Sequence, residues 1–479
     1  MQKITRKNFI KASALSTIGF ILFPQCLKPN IEENKEKSII VIGAGIAGLS
    51  AAKKLTEFGF NVTVLEANQT YGGRINSVNL NGDIVDSGAS WIHGIRHNPI
   101  YKIAEDLNLD TRKTYYEPGY LYDIDGSEIT DEEWKVVEKR LNELYNLAYD
   151  YTGKSLEELL DIYDPNPDFS DRMTRVFYGA IRSEIEIGYA VDAQNLSSVM
   201  LTKDDAFAGD EVIFKNGFIQ ILDFLAKDLN IVYNNFVTKI SYLTDKVNIY
   251  TKNTLDLDSV RSCIACHSNS DAEIVGYDNI YSADRVVVAL PAGMLKQNII
   301  VFEPAFSTEK INAISGIGIG TMNKVILKFT ENFWQKNAYF LQVLNKDYTK
   351  NMEFFSPSPT GIENILYGIL AGQHARSIEN LSESEVIEMV MSQLKIIFGE
   401  NIPNPINYVI TKWHTNPLAL GAYPHIKPGF DYDICDKIAE PLDNKVFFAG
   451  DYIVKDYMST AHGSYISGEN SANNILKTF

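Results

Sequence analysis

Basic residues are scarce in this chain of 479 residues: 44 lysines and arginines face 61 aspartates and glutamates, giving a formal net charge of −17 at pH 7. This excess of negative charge repels the phosphates of a nucleic acid and argues against such a partner. The same charge attracts small cations from solution. Composition therefore favours a cationic small molecule as the ligand.

Long apolar runs are also lacking, apart from a short one near the amino terminus. Residues 1–26 carry four basic and no acidic side chains, and residues 12–23 are mostly apolar. This layout is typical of a secretory signal, and the string TRKNFIK at residues 5–11 resembles a twin-arginine signal with Lys7 replacing the second arginine. We expect an exported, periplasmic or envelope-associated protein whose signal contacts the membrane. The alternatives are an amino-terminal membrane anchor, a basic tail on a cytoplasmic protein, and lipid attachment at Cys26.

The chain has no internal repeat and no low-complexity tract, and its length predicts two joined domains. A strand at residues 38–42 runs directly into the string GAGIAG at 43–48, followed by a helix and by a second strand that ends at Glu66. This is a βαβ unit. Further predicted elements are a helix at 218–228, strands at 231–233 and 285–290, and amphipathic helices at 101–107, 131–149, 155–163 and 383–398. The pattern predicts an α/β fold.

The glycine string has the full context of a dinucleotide-binding site: strand, glycines, helix, then an acidic residue at the end of the next strand. Gly43 permits the tight turn, Gly45 lets the pyrophosphate approach the backbone, and Gly48 lets the helix pack against the strand. The helix amino terminus then faces the phosphates, and Glu66 accepts hydrogen bonds from the adenosine ribose. Glycine spacing alone does not separate FAD from NAD, and glycines in an ordinary strand-to-helix turn are the other interpretation.

The strings that follow separate these alternatives. GGR at 72–74 and DSGASWIHG at 86–94 resemble the flavin amine oxidase family, which includes monoamine oxidases, polyamine oxidases and lysine-specific histone demethylases. The resemblance continues in order to the carboxyl terminus, through VVVALP at 286–291, GTMNKV at 320–325, Trp413, GAY at 421–423, FFAGD at 447–451 and TAHGSYISG at 460–468. It covers residues 38–479.

The resemblance implies a Rossmann-like FAD-binding domain assembled from residues 38–95, 204–290 and 421–479. An α+β substrate domain of residues 96–203 and 291–420 is interleaved with it. FAD is expected to be noncovalent, because Ala422 stands where monoamine oxidases have a flavin-linked cysteine. The expected FAD contacts are Gly43, Gly45, Ala47, Gly48, Glu66, Gly73, Arg74, Gly88, Ala89, Ser90, Trp91, Val237, Trp413, Gly450, Asp451, Thr460 and Ala461.

Three of these contacts have individual roles by resemblance. Arg74 neutralises the pyrophosphate with its planar guanidinium, and the backbone of Val237 holds the adenine. Asp451 stands where the family usually has glutamate, and Tyr452 replaces a common alanine. The ribityl and pyrophosphate contacts are therefore where this chain departs from the family pattern.

The expected catalytic residues are Lys324, Tyr423, His93 and Thr460. A lysine within an apolar run must snorkel to solvent or serve a site, and in the family this amine holds a water against flavin N5. Tyr423 forms one wall of an aromatic cage, and Thr460 replaces the tyrosine of the opposite wall, which implies a wider site. The string WIH at 91–93 looks most like polyamine oxidases, with His93 contacting the substrate. A solvent-facing lysine and a structural histidine are the alternatives.

These residues predict an FAD-dependent oxidoreductase. A neutral amine binds in front of Tyr423, its α-carbon gives a hydride to flavin N5, and the imine is hydrolysed to aldehyde and amine. A polyamine-type substrate is expected, with O2 (giving H2O2) or an electron-transfer partner as acceptor. An L-amino acid oxidase needs an arginine for the carboxylate, for which Arg182 and Arg376 are candidates. A histone demethylase is disfavoured by the export signal and by the lack of a long inserted helical arm, and a non-catalytic flavin-binding protein is the alternative outside this class.

One motif lies outside the family pattern. Within an apparent insertion at residues 252–281, Cys263, Cys266 and His267 form the attachment motif of a c-type haem. Bound haem would make the protein an amine dehydrogenase. A disulfide hairpin or a metal site are the alternatives. Cys435 has no partner in the sequence and is expected to be buried.

Overall fold

A computed structural model describes residues 34–117, 119–163, 169–203, 206–254, 258, 260–261 and 277–479. The strands are β1 (Ser38–Ile42), β2 (Asn61–Leu65), β3 (Ser77–Leu80), β4 (Asp83–Asp86), β5 (Trp91–Ile92), β6 (Thr111–Thr114), β7 (Gly119–Tyr122), β8 (Glu211–Phe214), β9 (Asn230–Val232), β10 (Asn235–Ser241), β11 (Val247–Asn253), β12 (Asn279–Ala283), β13 (Arg285–Val288), β14 (Val301–Glu303), β15 (Ile317–Ile319), β16 (Met322–Lys328), β17 (Phe340–Val343), β18 (Met352–Phe355), β19 (Ile365–Ala371), β20 (Asn407–Ile410), β21 (Pro424–Ile426) and β22 (Val446–Phe448). The helices are α1 (Ile46–Glu57), α2 (Pro99–Asp106), α3 (Asp131–Asp150), α4 (Leu156–Tyr163), α5 (Asp171–Ile181), α6 (Ile219–Ala226), α7 (Ala292–Lys296), α8 (Thr308–Gly316), α9 (Gly372–Ile378), α10 (Glu383–Phe398), α11 (Asp433–Ala439) and α12 (Ala461–Leu476). A π-helical turn, Arg182–Ile187, follows α5.

A five-stranded parallel sheet forms the cofactor side, with the order β22-β13-β1-β2-β9. Its central strands are runs of Val, Ile and Leu that are buried on both faces, as is typical of parallel sheets covered by helices. Helices α1 and α12 pack against each other. The predicted βαβ unit and the predicted strands at 231–233 and 285–290 are confirmed as parts of this sheet.

A second sheet has six strands in the order β20-β16-β19-β18-β17-β7. We call it the substrate side, because all six strands lie within the predicted substrate domain. Alternate residues of a strand point to opposite faces. On β16, Val325 and Leu327 pack in the same cluster as Val386 and Leu394 of α10, which covers one face. Lys324 lies on the other face, which borders the cavity described below.

The long helices begin where their sequences predict. Thr130 and Glu133 form a capping box at the start of α3, in which Thr130 Oγ1 accepts from the Glu133 amide at 3.2 Å and Glu133 Oε2 accepts from the Thr130 amide at 2.8 Å. Ser382 and Glu385 do the same for α10. The helices predicted at 101–107, 131–149, 155–163, 218–228 and 383–398 are confirmed within a few residues.

The predicted boundaries of the two domains stay a prediction. Most of the apparent insertion at 252–281 lies outside the described residues, as do the predicted export signal and Cys26. Among the helices that the structure describes, none has both the length and the apolar character needed to cross a bilayer.

Candidate active site

The cofactor side of the site lies at the carboxyl edge of the parallel sheet. Gly43, Glu66, Ala289 and Gly450 follow β1, β2, β13 and β22, and all four line one cavity of about 520 Å³. Parallel strands bring their carboxyl ends to the same edge, which is where open α/β sheets bind ligands.

The glycine string shapes the turn between β1 and α1. Gly43 has φ +100, and a Cβ added to Gly48 would lie only 1.9 Å from the Gly43 carbonyl oxygen. A Cβ added to Gly45 would meet nothing within 4 Å, and no side chain caps the start of α1. Since Gly45, Ile46 and Ala47 line the cavity, the amino terminus of α1 faces it with open space in front. This arrangement fits the pyrophosphate of a dinucleotide.

Glu66 is buried at the end of β2 and lines the same cavity. Its Oε2 accepts from the Ala44 amide at 2.7 Å, and its Oε1 accepts from the Asn68 amide at 2.8 Å. Burial raises the pKa of this carboxyl group, and the backbone hydrogen bonds oppose that rise. The carboxylate is thus fixed beside the glycine turn, and its role toward the ribose stays a prediction.

Arg74 joins the first and last stretches of the cofactor side. Its Nη1 and Nη2 lie 2.8 Å from the two carboxylate oxygens of Asp451, and Nη1 also donates to the Ala422 carbonyl at 2.6 Å. All three residues line the cavity. Sequence reasoning placed Arg74 and Asp451 at the cofactor separately and did not pair them.

Most of the other predicted cofactor contacts meet at this cavity. Gly48 is not among the cavity-lining residues, because it packs beneath the turn. The cavity is lined by Gly73, Gly88, Ala89, Ser90, Trp91, Val237, Trp413, Thr460 and Ala461. Their individual contacts with FAD stay predictions.

Lys324 connects the substrate sheet to the cofactor side. It is only 4% exposed, and its Nζ donates to the carbonyl oxygens of Asp86 at 3.1 Å and Gly88 at 2.5 Å and to Ser90 Oγ at 2.5 Å. Burial lowers its pKa to about 8, and the negative charge of Asp86 opposes that shift. Lys324 is therefore a buried amine whose protonation changes in the neutral to mildly alkaline range, and the solvent-facing alternative is wrong.

The remaining predicted catalytic residues also line the cavity. The Tyr423 hydroxyl donates to the carbonyls of Ile187 at 3.2 Å and Gly188 at 3.1 Å. Thr460 Oγ1 accepts from the Gly463 amide at 2.9 Å and so caps α12.

His93 lies beside an acidic residue that sequence reasoning missed. Its Nδ1 lies 2.7 Å from Oε2 of Glu211, whose carboxylate is almost fully buried. Because Nδ1 is engaged with this carboxylate, the imidazole is held in one orientation at the cavity wall. The contact between His93 and a substrate stays a prediction.

Two further carboxylates line the cavity on the substrate side, and sequence reasoning missed both. Lys324 pairs with Ile369, and Ile369 pairs with Glu353, so the three form one row across the sheet with about 10 Å between the outer Cα atoms. The carboxylate of Glu353 accepts a hydrogen bond from the hydroxyl of Ser183. Glu184 reaches the same cavity from the π-helical turn. A charged residue within the apolar strand Met352–Phe355 was the available signal for Glu353, whereas Glu184 had none.

Aromatic rings complete the substrate side. Trp91, Tyr116 and Phe340 line the cavity. The rings of Tyr116 and Phe340 are stacked with centroids 5.6 Å apart, and Trp91 meets Phe355 edge-on at 4.7 Å. These rings form an aromatic wall of the same cavity that Glu184 and Glu353 line.

Neither arginine proposed for an amino acid carboxylate lines the cavity. Arg182 is fully buried and is ion-paired with Glu186 and Asp192. Arg376 donates to Thr321 Oγ1 and to the Ile319 carbonyl, each at 3.1 Å. Among the described residues, Arg74 is the one cavity-lining arginine, and it lies on the cofactor side.

The predicted haem motif, Cys263, Cys266 and His267, lies outside the described residues. Cys435 is buried, as predicted, and burial raises the pKa of its thiol to about 12. Elsewhere in the described part of the chain, no group of three or more His, Cys, Asp or Glu side chains is placed to hold a metal ion.

Comparison with known proteins agrees with this geometry. The family model described as flavin containing amine oxidoreductase matches residues 46–476. A protein named Probable polyamine oxidase 4, from Arabidopsis thaliana, is 32% identical over 93% of this chain and 88% of its own length. Lysine-specific histone demethylase 1 homolog 2, also from A. thaliana, is 30% identical over 93% of this chain, but the match spans only 59% of that protein.

A solved structure of a putrescine oxidase double mutant, made in a redesign of cofactor binding, aligns with a TM-score of 0.71. The alignment covers 92% of this chain and 99% of that one at 17% identity. This likeness confirms the predicted amine oxidase fold with its Rossmann-like FAD domain. Together with the family match over nearly the whole described chain, it leads to one conclusion: the chain belongs to the flavin-containing amine oxidoreductase family, and it is an amine oxidase enzyme.

Proposed function

We propose that the protein oxidises a long polycationic amine of the polyamine type at a C–N bond. The product is an imine that water hydrolyses to an aldehyde and an amine. The observation that carries this proposal is the pair of carboxylates, Glu184 and Glu353, in the same cavity as the buried Lys324. Relatives named as polyamine oxidases support it.

FAD, when bound, supplies the two-electron acceptor for the amine. The residues that fit it are the glycine turn after β1, Glu66, and the Arg74–Asp451 pair. The amine of Lys324 is fixed by Gly88 and Ser90. Its neutral form, which predominates above pH about 8, has a lone pair that accepts a hydrogen bond from a water molecule.

Substrate recognition follows from charge and shape on the substrate side. Glu353 is buried in the cavity wall, and a buried carboxylate attracts a cation strongly because its surroundings screen the charge less than bulk water does. Glu353 lies in the same sheet row as Lys324, so an amine reacting near the lysine can present a second ammonium to it. The rings of Trp91, Tyr116 and Phe340 suit a methylene chain and its ammonium groups.

An anaerobic amine panel tests this proposal. Spermidine, spermine and their acetyl forms should bleach the flavin faster than benzylamine or an amino acid. Glu184→Gln and Glu353→Gln should each raise the KM for spermidine about tenfold or more, since a hydrogen bond to a charged group contributes about 1.5–3 kcal/mol. Benzylamine kinetics should not change. The exposed Glu363→Gln is the control for loss of one negative charge.

Faster bleaching by benzylamine or by an amino acid would contradict the substrate assignment. An amino acid substrate is disfavoured because Arg182 and Arg376 do not line the cavity. Absence of bleaching with every amine of the panel would contradict the polyamine assignment.

The flavin is proposed to be noncovalent. Ala422 lines the cavity without a thiol, and the buried Cys435 is not among the cavity-lining residues. Acid or heat denaturation should therefore release the yellow cofactor into the supernatant. Flavin that stays with the precipitated chain would contradict this assignment.

The electron acceptor is proposed to be O2, with formation of H2O2. The motif of Cys263, Cys266 and His267 favours a second candidate, an amine dehydrogenase that passes electrons to a c-type haem. A visible spectrum separates them: protein made in a host with the haem attachment machinery shows sharp reduced bands if haem is attached. Peroxide formation without those bands supports the oxidase.

Export is proposed from the sequence of residues 1–26 alone. Fusion of this segment to a reporter, followed by cell fractionation, measures the location directly. A reporter recovered in the cytoplasm would favour the alternative of a basic tail.

A further inference from the structure

Two buried residues of the π-helical turn, Arg182 and Glu186, form an ion cluster with the partly buried Asp192. Arg182 Nη1 lies 3.0 Å from Glu186 Oε2 and 3.1 Å from Asp192 Oδ1. Arg182 has 0% of its surface exposed and Glu186 has 2%. Neither side chain lines the cavity. The mechanism proposed above gives these charges no role.

The side chains of the turn point in two directions. Arg182 and Glu186 are four residues apart and lie on the same side of the turn, where they form their ion pair. Glu184 lies midway between them, so it points away from the cluster, and it lines the cavity. At the end of the turn, the carbonyls of Ile187 and Gly188 accept the hydrogen bond from the Tyr423 hydroxyl.

The cluster also ties the turn to the strand next to Lys324. Arg182 Nη2 donates to the Ala371 carbonyl at 2.5 Å, and Asp192 Oδ2 accepts from the Gln373 amide at 2.8 Å. Ala371 pairs with Met322, which lies on β16 two residues before Lys324. The turn is therefore fixed relative to the strand that carries the buried lysine.

We propose that Arg182 and Glu186 are positioning residues, which hold Glu184 and Tyr423 in the cavity and so set the preference for polycationic amines. A buried ion pair contributes little to stability compared with apolar residues of similar volume. The role of this pair is to orient the turn: Nη1 of Arg182 contacts both Glu186 and Asp192, and Nη2 donates to the Ala371 carbonyl. This inference rests on the proposed function, because it assigns Glu184 to a substrate ammonium.

Glu186→Gln is the sharpest test, because it removes one charge while Asp192 still neutralises Arg182. We expect the KM for spermidine to rise about tenfold, which corresponds to a coupling free energy of about 1.4 kcal/mol between Glu186 and the substrate site. The value of kcat should change less than about twofold. Benzylamine kinetics and flavin content should stay unchanged. Amide hydrogen exchange across residues 184–191 should become faster. Glu143→Gln, in a partly exposed ion pair with Arg140, is the matched control.

The double variant distinguishes positioning from general damage. In a Glu184→Gln background, Glu186→Gln should have no further effect on the KM for spermidine. Additive effects, equal losses with benzylamine, or unchanged exchange at residues 184–191 would overturn the inference. If Glu186→Gln does not fold, Arg182→Lys carries the same prediction, since it keeps the charge and loses the fork.

The outcomes also separate the inference from the proposed function. If spermidine does not bleach the flavin faster than benzylamine, the proposed substrate class fails. If the panel gives the expected order but Glu184→Gln leaves spermidine kinetics unchanged, the substrate class stands and the inference is overturned, because Glu184 then has no role for the cluster to support.

Discussion

The two sides of the cavity are built in different ways. The cofactor side consists mainly of backbone and glycine at the carboxyl edge of a parallel sheet. The substrate side consists of side chains on the face of a mixed, mainly antiparallel sheet and on a π-helical turn, with Lys324, Glu353 and Glu184 among its charged residues. The cofactor side accommodates its ligand with open space at the glycine turn, whereas the substrate side attracts its ligand with buried charged side chains.

This difference predicts two kinds of mutational response. A substitution on the cofactor side changes the space at the turn, so flavin binding should be lost. A substitution on the substrate side changes charge without moving the backbone, so flavin should stay bound while kinetics change. The predictions below test this division, beginning with the largest effect.

Gly48→Ala should have the largest effect. The added Cβ would lie 1.9 Å from the Gly43 carbonyl oxygen, so the backbone between β1 and α1 must move. Overpacking in a well-packed region costs about 1–3 kcal/mol and sometimes more. We expect a lower melting temperature and little bound flavin, measured by thermal unfolding and by the ratio of absorbance at 450 nm to that at 280 nm, roughly zero for a flavin-free chain.

Gly45→Ala is the matched control for that prediction. Its Cβ would meet nothing within 4 Å in the protein. The variant should therefore melt like the flavin-free parent, yet hold flavin weakly because the methyl group occupies the approach of the pyrophosphate. If Gly48→Ala binds a full complement of flavin and melts at the same temperature as the parent, the close packing at Gly48 is not what limits flavin binding on the cofactor side.

The same division explains what the sequence could predict. The glycine turn and Glu66 lie within one βαβ unit, and local spacing therefore located them. Lys324 was found because a lysine within an apolar strand is conspicuous. Glu184 was not predicted, because its position depends on a π-helical turn, and the periodicity of hydrophobic residues in the sequence does not reveal such a turn. The Arg74–Asp451 pair joins residues that are 377 positions apart, and only the folded chain brings them together.

Lys324→Met should keep flavin and slow turnover. Its Nζ donates to the carbonyls of Asp86 and Gly88 and to Ser90 Oγ, all of which lie outside the glycine turn at 43–48. We expect turnover or reoxidation to fall about 100-fold, the lower range for a group that handles protons, as measured by steady-state and stopped-flow absorbance. Lys328→Met, on the same strand but bonded to Asp83 outside the cavity, is the control. A folded Lys324→Met protein that cannot hold flavin would contradict the assigned role.

Lys324 also predicts a dependence on pH. Burial lowers its pKa to about 8 from an ordinary value of 10.5, so the neutral amine predominates above pH about 8. If the neutral form is the active one, kcat should rise as pH increases through about 8, and Lys324→Met should lack this limb.

The folded state binds fewer protons than the unfolded chain between pH about 8 and 10.5. Deprotonation of the lysine therefore makes the free energy of unfolding increase with pH across that window. Urea titrations of the parent and of Lys324→Met measure this difference. Identical profiles for the two proteins would show that the group titrates elsewhere.

Asp451→Asn should have the smallest effect, and it tests whether charge matters on the side built mainly from backbone. Asp451 accepts two hydrogen bonds from Arg74, and an asparagine keeps one acceptor and loses the charge. Since Arg74 also donates to the Ala422 carbonyl, its guanidinium should stay near its place. We expect FAD affinity to fall about tenfold, about 1.4 kcal/mol, as measured by fluorescence titration of the flavin-free protein.

The control for Asp451→Asn is Asp436→Asn, which removes an ion pair of Lys455 with an exposed carboxylate. Surface pairs contribute about 0–1 kcal/mol, so this variant should bind FAD like the parent. Asp451→Glu restores the residue usual in the family and should bind FAD at least as well as the parent, because the longer side chain keeps the charge and both oxygens. If Asp451→Asn binds FAD as tightly as the parent, the Ala422 carbonyl alone positions Arg74. FAD binding then depends on backbone groups even where the cofactor side has an ion pair.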